Sequence, residues 1–182
     1  LIVMAGFFVI AAGMMQQFSS YASTGALGAA VGAMGVTVCM IGQLFGKFGL
    51  GWLCDHTGAR VSGVVASIFG AAGIAIVLFS VDNAMMFYVG VFLFGIGFAA
   101  LNIVPPMACR QAFGQKDYAN IFSMVATGLN VFSGFSALIY AQIFDITGSF
   151  AGCFYLIIGF YVVTLICSLV IVPMGRRSWA KK

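Results

Sequence analysis

Glutamate is absent from this chain, histidine occurs once and proline three times. Charged residues occupy only 7% of the 182 positions, against about a quarter in a soluble domain. So little charge cannot cover a water-facing surface of this size, which makes lipid the solvent for most of the chain. The single His56 and the four acids, Asp55, Asp82, Asp117 and Asp145, fall between or at the ends of apolar runs. That placement excludes a Ser-His-Asp set, and equally an intramembrane hydrolase, whose acid or base must sit within a span. The five cysteines, at 39, 54, 109, 153 and 167, form no C-x-x-C pair, so neither a zinc site nor a redox motif is indicated. Cys54 and Cys109 fall in expected loops on the reducing side of the membrane, which argues against a disulfide framework. The chain is therefore expected to be no enzyme, to use no cofactor and to hold no metal.

What is present is apolar: 63% hydrophobic residues, with 24 Gly and 19 Phe. A membrane-crossing helix takes about 20 apolar residues. Six runs qualify, at about 1–20, 26–45, 61–80, 84–108, 119–144 and 150–172, followed by a basic tail at 173–182. Strands of a barrel would alternate over about ten residues. These runs are longer and do not alternate, so the expected fold is an all-α membrane protein, a six-transmembrane-helix bundle. The opening Leu1-Ile2-Val3-Met4 has no basic leader segment, so no signal peptide is expected, and the abrupt apolar start implies further sequence upstream.

The eight Lys and Arg residues divide sharply. Lys47 and Arg60 lie between helices 2 and 3, Arg110 and Lys116 between helices 4 and 5, and Arg176, Arg177, Lys181 and Lys182 after helix 6. The other three links carry none. Basic residues in short loops stay cytoplasmic, so those two links and the C-terminus are expected inside a plasma (inner) membrane. The same distribution argues against a nucleic-acid partner despite the net charge of +4.

Helix 2 carries Gly28-x-x-x-Gly32 and Gly42-x-x-x-Gly46, along with Gly25 and Gly35. Small residues once per turn allow close helix contact, so this helix is expected to pack against protein rather than lipid. In helix 5, Thr127, Asn130, Ser133, Gly134, Ala137, Tyr140 and Ala141 share one side, and Leu129, Val131, Phe132, Phe135, Leu138 and Ile139 the other. The polar side is expected to face protein or a water-filled cavity. Gln16 and Gln17 near the end of helix 1, and Asn102 before Pro105-Pro106 in helix 4, are further polar groups. The two prolines are expected to kink or unwind helix 4 early. Gly42 to Lys47 is one residue short of a phosphate loop and lacks its Ser/Thr.

Between helices 2 and 3 the chain reads Gly51-Trp-Leu53-Cys-Asp55-His56-Thr-Gly58-Ala59-Arg60. This resembles the signature loop of the major facilitator superfamily, Gly-x-Leu-x-Asp-Arg-x-Gly-Arg-Arg, with His56 and Ala59 as the departures. His56 is read as filling a motif position rather than as a pH sensor. The resemblance implies one six-helix half of such a transporter, working by alternating access with the N-terminal half of the same protein. It further implies a bracing loop in which Gly51 and Gly58 permit a tight turn, Asp55 is the bracing acid and Arg60 its basic neighbour. The stretch Phe113–Tyr118 with Asp145–Phe150 is similar to the tenth-to-twelfth-helix region of monocarboxylate and oxalate/formate antiporters, and the basic end after helix 6 fits a C-terminal half. A small carboxylate is the substrate class that likeness implies, although helices 2 and 5 carry no interior Lys or Arg. The expected substrate wall is Gln16, Gln17, Asn102, Thr127, Asn130 and Tyr140. Two other roles stay open on the sequence: an assembly subunit of a membrane complex, and a half-size carrier acting as a homodimer.

Overall fold

The computed structural model describes residues 6, 9–11, 13–24, 28–80, 83–113, 118–147 and 151–179. Among these, every regular element is helical. The helices are α1 (Met14–Thr24), α2 (Ala29–Thr57), α3 (Ala59–Phe79), α4 (Ala84–Phe113), α5 (Tyr118–Thr147) and α6 (Ala151–Trp179). Helical residues also precede α1, at Gly6 and Val9–Ala11. Among the described residues, four helices are long and apolar enough to cross a membrane: α2, α3, Ala84–Arg110 of α4 and Tyr118–Ile146 of α5. Gly152–Cys167 of α6 is apolar over a shorter stretch.

The bundle is organised around α4, which packs most extensively against α3 on one side and α2 on the other. α6 lies against α3, α1 against α2, and α5 touches its neighbours α4 and α6 lightly. The closeness of α2 and α4 rests on absent side chains. A Cβ on Gly42 would run into the backbone carbonyl of Phe92, and one on Gly95 into that of Cys39. Each helix therefore lends its glycine to the other's backbone. Phe18, Phe87 and Phe94 then fill the space between α1 and α4, with edge-to-face ring contacts from Phe18 to Phe87 at 6.2 Å and to Phe94 at 5.1 Å.

Several boundaries differ from the sequence expectation. α2 does not end near residue 45 but continues to Thr57, and only Gly58 separates it from α3. The glycines and charges of 46–57 read as a loop. Yet a helical glycine costs only about 1 kcal/mol, and Gly46, Leu50 and Cys54 extend the buried seam begun by Gly32, Gly35, Cys39 and Gly42. At about 1.5 Å per residue the 29-residue α2 is some 43 Å long, so its last turns outrun a hydrocarbon layer of about 30 Å. Packing of α2 is one-sided: its glycine face meets α4 closely, while Met34, Ile41, Leu44, Phe48 and Trp52 on its outer face are exposed in this bundle.

Helix α4 continues past Pro105 and Pro106 to Phe113 rather than unwinding there. The cost of two missing donors is carried by burial of Val104, Ala108 and Cys109 on the same stretch. α6 likewise runs on to Trp179, through what was expected to be a tail from 173. A run of apolar residues marks only the part of a helix that lies in hydrocarbon, and intrahelical hydrogen bonds continue beyond it. All five cysteines are free thiols, and Cys54 and Cys109 are buried in helices rather than carried in loops.

Candidate functional site

Two clefts mark opposite ends of the bundle. The larger, about 720 Å³, opens between the end of α2, the end of α4 and the start of α5. Gly51 and Asp55 come from α2, Asn102, Pro106 and Arg110 from α4, and Tyr118 from α5. Asn102, Pro106 and Arg110 are spaced by four, which puts them on one face of α4. The smaller cleft, about 310 Å³, lies between the end of α1 and the end of α5, with Gln17 and Ser20 facing Tyr140 and Asp145.

The residues expected to form a substrate wall are distributed as follows. Gln17 and Tyr140 meet at the smaller cleft. Asn102 stands in the larger one. Thr127 and Asn130 are exposed on α5 between them. The side chain of Gln16 lies outside the described residues. Tyr140 is only 2% exposed, and its hydroxyl donates to the carbonyl of Ile10. The Thr127 hydroxyl donates within its own helix to the Ser123 carbonyl at 2.9 Å. Ser136 does the same to Ser133 at 2.7 Å.

α5 shows three arcs. Val125, Leu129, Phe132, Ser136 and Tyr140 form its packed or part-packed seam. Met124, Val131, Phe135 and Leu138 are exposed and apolar. Asn120, Ser123, Thr127, Asn130, Gly134 and Ala141 are exposed, small or polar, and opposite the seam. The expected polar side, Tyr140 apart, is thus turned away from this bundle, and the seam takes Leu129 and Phe132 from the other side.

The bracing residues also settle into places. Gly51 sits inside α2 with open space around it, so it serves neither a tight turn nor a close approach. Gly58 makes the break itself, at φ 93° and ψ 166°, and donates its N–H to the Cys54 carbonyl at 2.9 Å. Across that break the Ser62 hydroxyl donates to the Leu50 carbonyl at 3.1 Å. Asp55 and Arg60 are exposed. Asp55 shares the larger cleft with Arg110 and Tyr118. His56 turns back onto its own helix, its ring 4.5 Å from that of Trp52 and its Nδ1 2.9 Å from the Trp52 carbonyl. Among the described residues no group of His, Cys, Asp or Glu is gathered as a metal would need.

Arg110, Tyr118 and Ser62 were not among the residues expected to act here. The spacing Asn102, Pro106, Arg110 was a signal for the first of them. Nothing local marked the other two.

No known family's sequence pattern matches the chain, and no curated protein sequence does. Its fold does have a match. A crystal structure described as an auto-inhibited POT family peptide transporter superposes with a TM-score of 0.69 at 20% sequence identity. The match covers 97% of this chain and 36% of that one, so the chain spans about a third of the transporter it resembles. The chain is an all-α membrane protein with a transporter fold, a six-helix bundle matching one portion of the larger protein.

Proposed function

We propose that this chain is one six-helix half of a carrier that moves a small solute across a membrane by alternating access, its site lying where this bundle meets the rest of the protein. The observation that carries the reading is the outer arc of α5. Thr127, Asn130 and Gly134 are exposed on a helix apolar enough to cross a membrane, and of these the Asn130 amide, unlike the Thr127 hydroxyl, has no partner among the described residues. A polar side chain in hydrocarbon needs a partner or water. The rest of this bundle is packed on the opposite face, so the partner is another helical body or a solute pathway between the two. A fold shared with a segment of a longer transporter supports the same reading.

The solute we favour carries a carboxylate. Peptides, for which the similar transporter is named, carry one too. With Asp55 and Asp145 standing at the ends of α2 and α5 and no carboxylate placed mid-span among the described residues, proton coupling would be supplied from elsewhere in the protein, or the carrier would be an antiporter. The end bearing Lys47, Arg60 and Arg110 is assigned to the cytoplasm of a plasma (inner) membrane, with the C-terminus, by the distribution of basic residues. No chemical step is assigned to the chain.

The test is uptake and counterflow of small carboxylates and dipeptides in proteoliposomes containing the full-length natural protein. Asn130→Leu is expected to abolish transport while the protein still elutes as a single species. Undiminished transport by that variant would remove the α5 arc from the pathway.

A further inference from the structure

The smaller cleft is richer in hydrogen-bond acceptors than in donors. Gln17, Ser20 and Ser23 line it from α1, and Tyr140, Phe144 and Asp145 from α5. Two of its hydroxyl protons are already placed: Ser23 donates to the Ser20 carbonyl at 2.9 Å, and Tyr140 donates to the Ile10 carbonyl. What the Ser23 hydroxyl has left to offer is oxygen lone pairs, and the Asp145 carboxylate can only accept. Gln17 adds an amide oxygen beside its NH2. Neither Asp145 nor the half-buried Gln17 side chain has a hydrogen-bond or ion-pair partner among the described residues.

Charge points the same way. α1 and α5 contain no Lys or Arg, since none occurs before residue 47 or between 117 and 175. An anion entering this cleft would meet Asp145 and no cation, so a carboxylate is the wrong ligand here. Size and walls then choose among cations. A bare inorganic ion would fill only a small part of about 310 Å³, a volume at the lower limit for small organic ligands. A quaternary ammonium relies on open ring faces. Tyr140 is only 2% exposed and Phe144 is half-buried, so little ring surface is open to it. A primary ammonium brings three N–H donors, which match Asp145, Ser23 and the Gln17 amide oxygen in number and kind. Its bond to the carboxylate is charge-assisted and the strongest of the three.

We propose that the smaller cleft binds the primary ammonium group of a small organic cation, held chiefly by the Asp145 carboxylate, with Gln17 and Ser23 as neutral acceptors. The site stands apart from the exposed arc of α5 and takes the opposite charge from the solute favoured there. Its occupancy is an equilibrium property and does not depend on transport.

The full-length natural protein in neutral detergent is titrated with propylammonium chloride and followed by ligand-observed NMR, with empty micelles as the blank. Saturable binding is expected, about tenfold tighter than that of tetramethylammonium, and propionate should not bind. Asp145→Asn removes the charge and keeps the shape, and should weaken propylammonium about tenfold; Ser23→Ala and Gln17→Met should each weaken it about threefold. Lys47→Gln, outside both helices of the cleft, leaves binding unchanged. Asn130→Leu, which tests the carrier reading alone, should bind propylammonium as the natural chain does. If Asp145→Asn does not elute as a single species, Gln17→Met and Ser23→Ala carry the comparison. Displacement of propylammonium by an equal concentration of sodium ions overturns the proposal in favour of an inorganic cation. Equal affinity for tetramethylammonium, absence of saturable binding, or binding that survives both Asp145→Asn and Gln17→Met overturns it as well.

Discussion

The hydroxyl of Tyr140 in α5 donates to the backbone carbonyl of Ile10, which lies 130 residues earlier and just before α1. Ile10 and Tyr140 are both buried, so the bond closes off two polar groups at once. Close by, a Cβ on Gly13 would touch the Ser136 hydroxyl and the edge of the Tyr140 ring. The first and fifth helical segments are thus joined by a polar contact inside an otherwise apolar seam.

Tyr140→Phe leaves the Ile10 carbonyl without its donor. The expected loss is about 1–3 kcal/mol of stability, the cost of one unsatisfied buried group. Unfolding in mixed micelles measures it. Transport per folded molecule should persist, because the hydroxyl is already engaged. A variant of normal stability that no longer transports would instead put Tyr140 on the solute pathway.

Gly42→Leu places a side chain where the Phe92 carbonyl now sits. Overpacking typically costs about 1–3 kcal/mol when neighbours can shift, and a backbone carbonyl in a membrane helix shifts poorly. The expected outcome is aggregation or a strongly lowered melting temperature. Gly49→Ala is the matched control, since nothing lies within 4 Å of the added methyl group. It should be neutral or stabilising by up to about 1 kcal/mol through helix propensity.

Gly58→Ala tests the break between α2 and α3. Its φ of 93° and ψ of 166° belong to a region that only glycine occupies freely. A loss of about 1–3 kcal/mol is expected. Ser62→Ala, which removes the hydroxyl bridging to Leu50, should weaken the same corner by about 1 kcal/mol. Thermal unfolding of each single variant gives both values.

Orientation is open to direct labelling. Ser23 and His56 are exposed at opposite ends of the bundle, near the smaller and the larger cleft. In intact cells an impermeant thiol reagent should modify Ser23→Cys and spare His56→Cys until the membrane is permeabilised. The reverse pattern would invert the topology drawn from the basic residues. The chain's own cysteines give little background, since four are buried and Cys167 is half-buried.

The residues alone determined the solvent and the class of fold. Scarce charge, long apolar runs and the gathering of cations in alternate links follow from the cost of placing polar groups in hydrocarbon, which acts on each segment separately. Segment ends were less legible, because polarity reports where a helix leaves lipid and not where its hydrogen bonds stop. Gly51 looked like a loop glycine and is helical, although the seam Gly42, Gly46, Leu50, Cys54 carried the period that said so. Only the tertiary arrangement decided which face of α5 is packed, that Tyr140 is spent on Ile10, and that Asp55 shares a cleft with Arg110 rather than pairing with its neighbour Arg60. Those outcomes depend on which helices touch and in what register. Register here is set by backbone-to-backbone fits such as Gly42 on Phe92 and Gly95 on Cys39, which no single segment encodes.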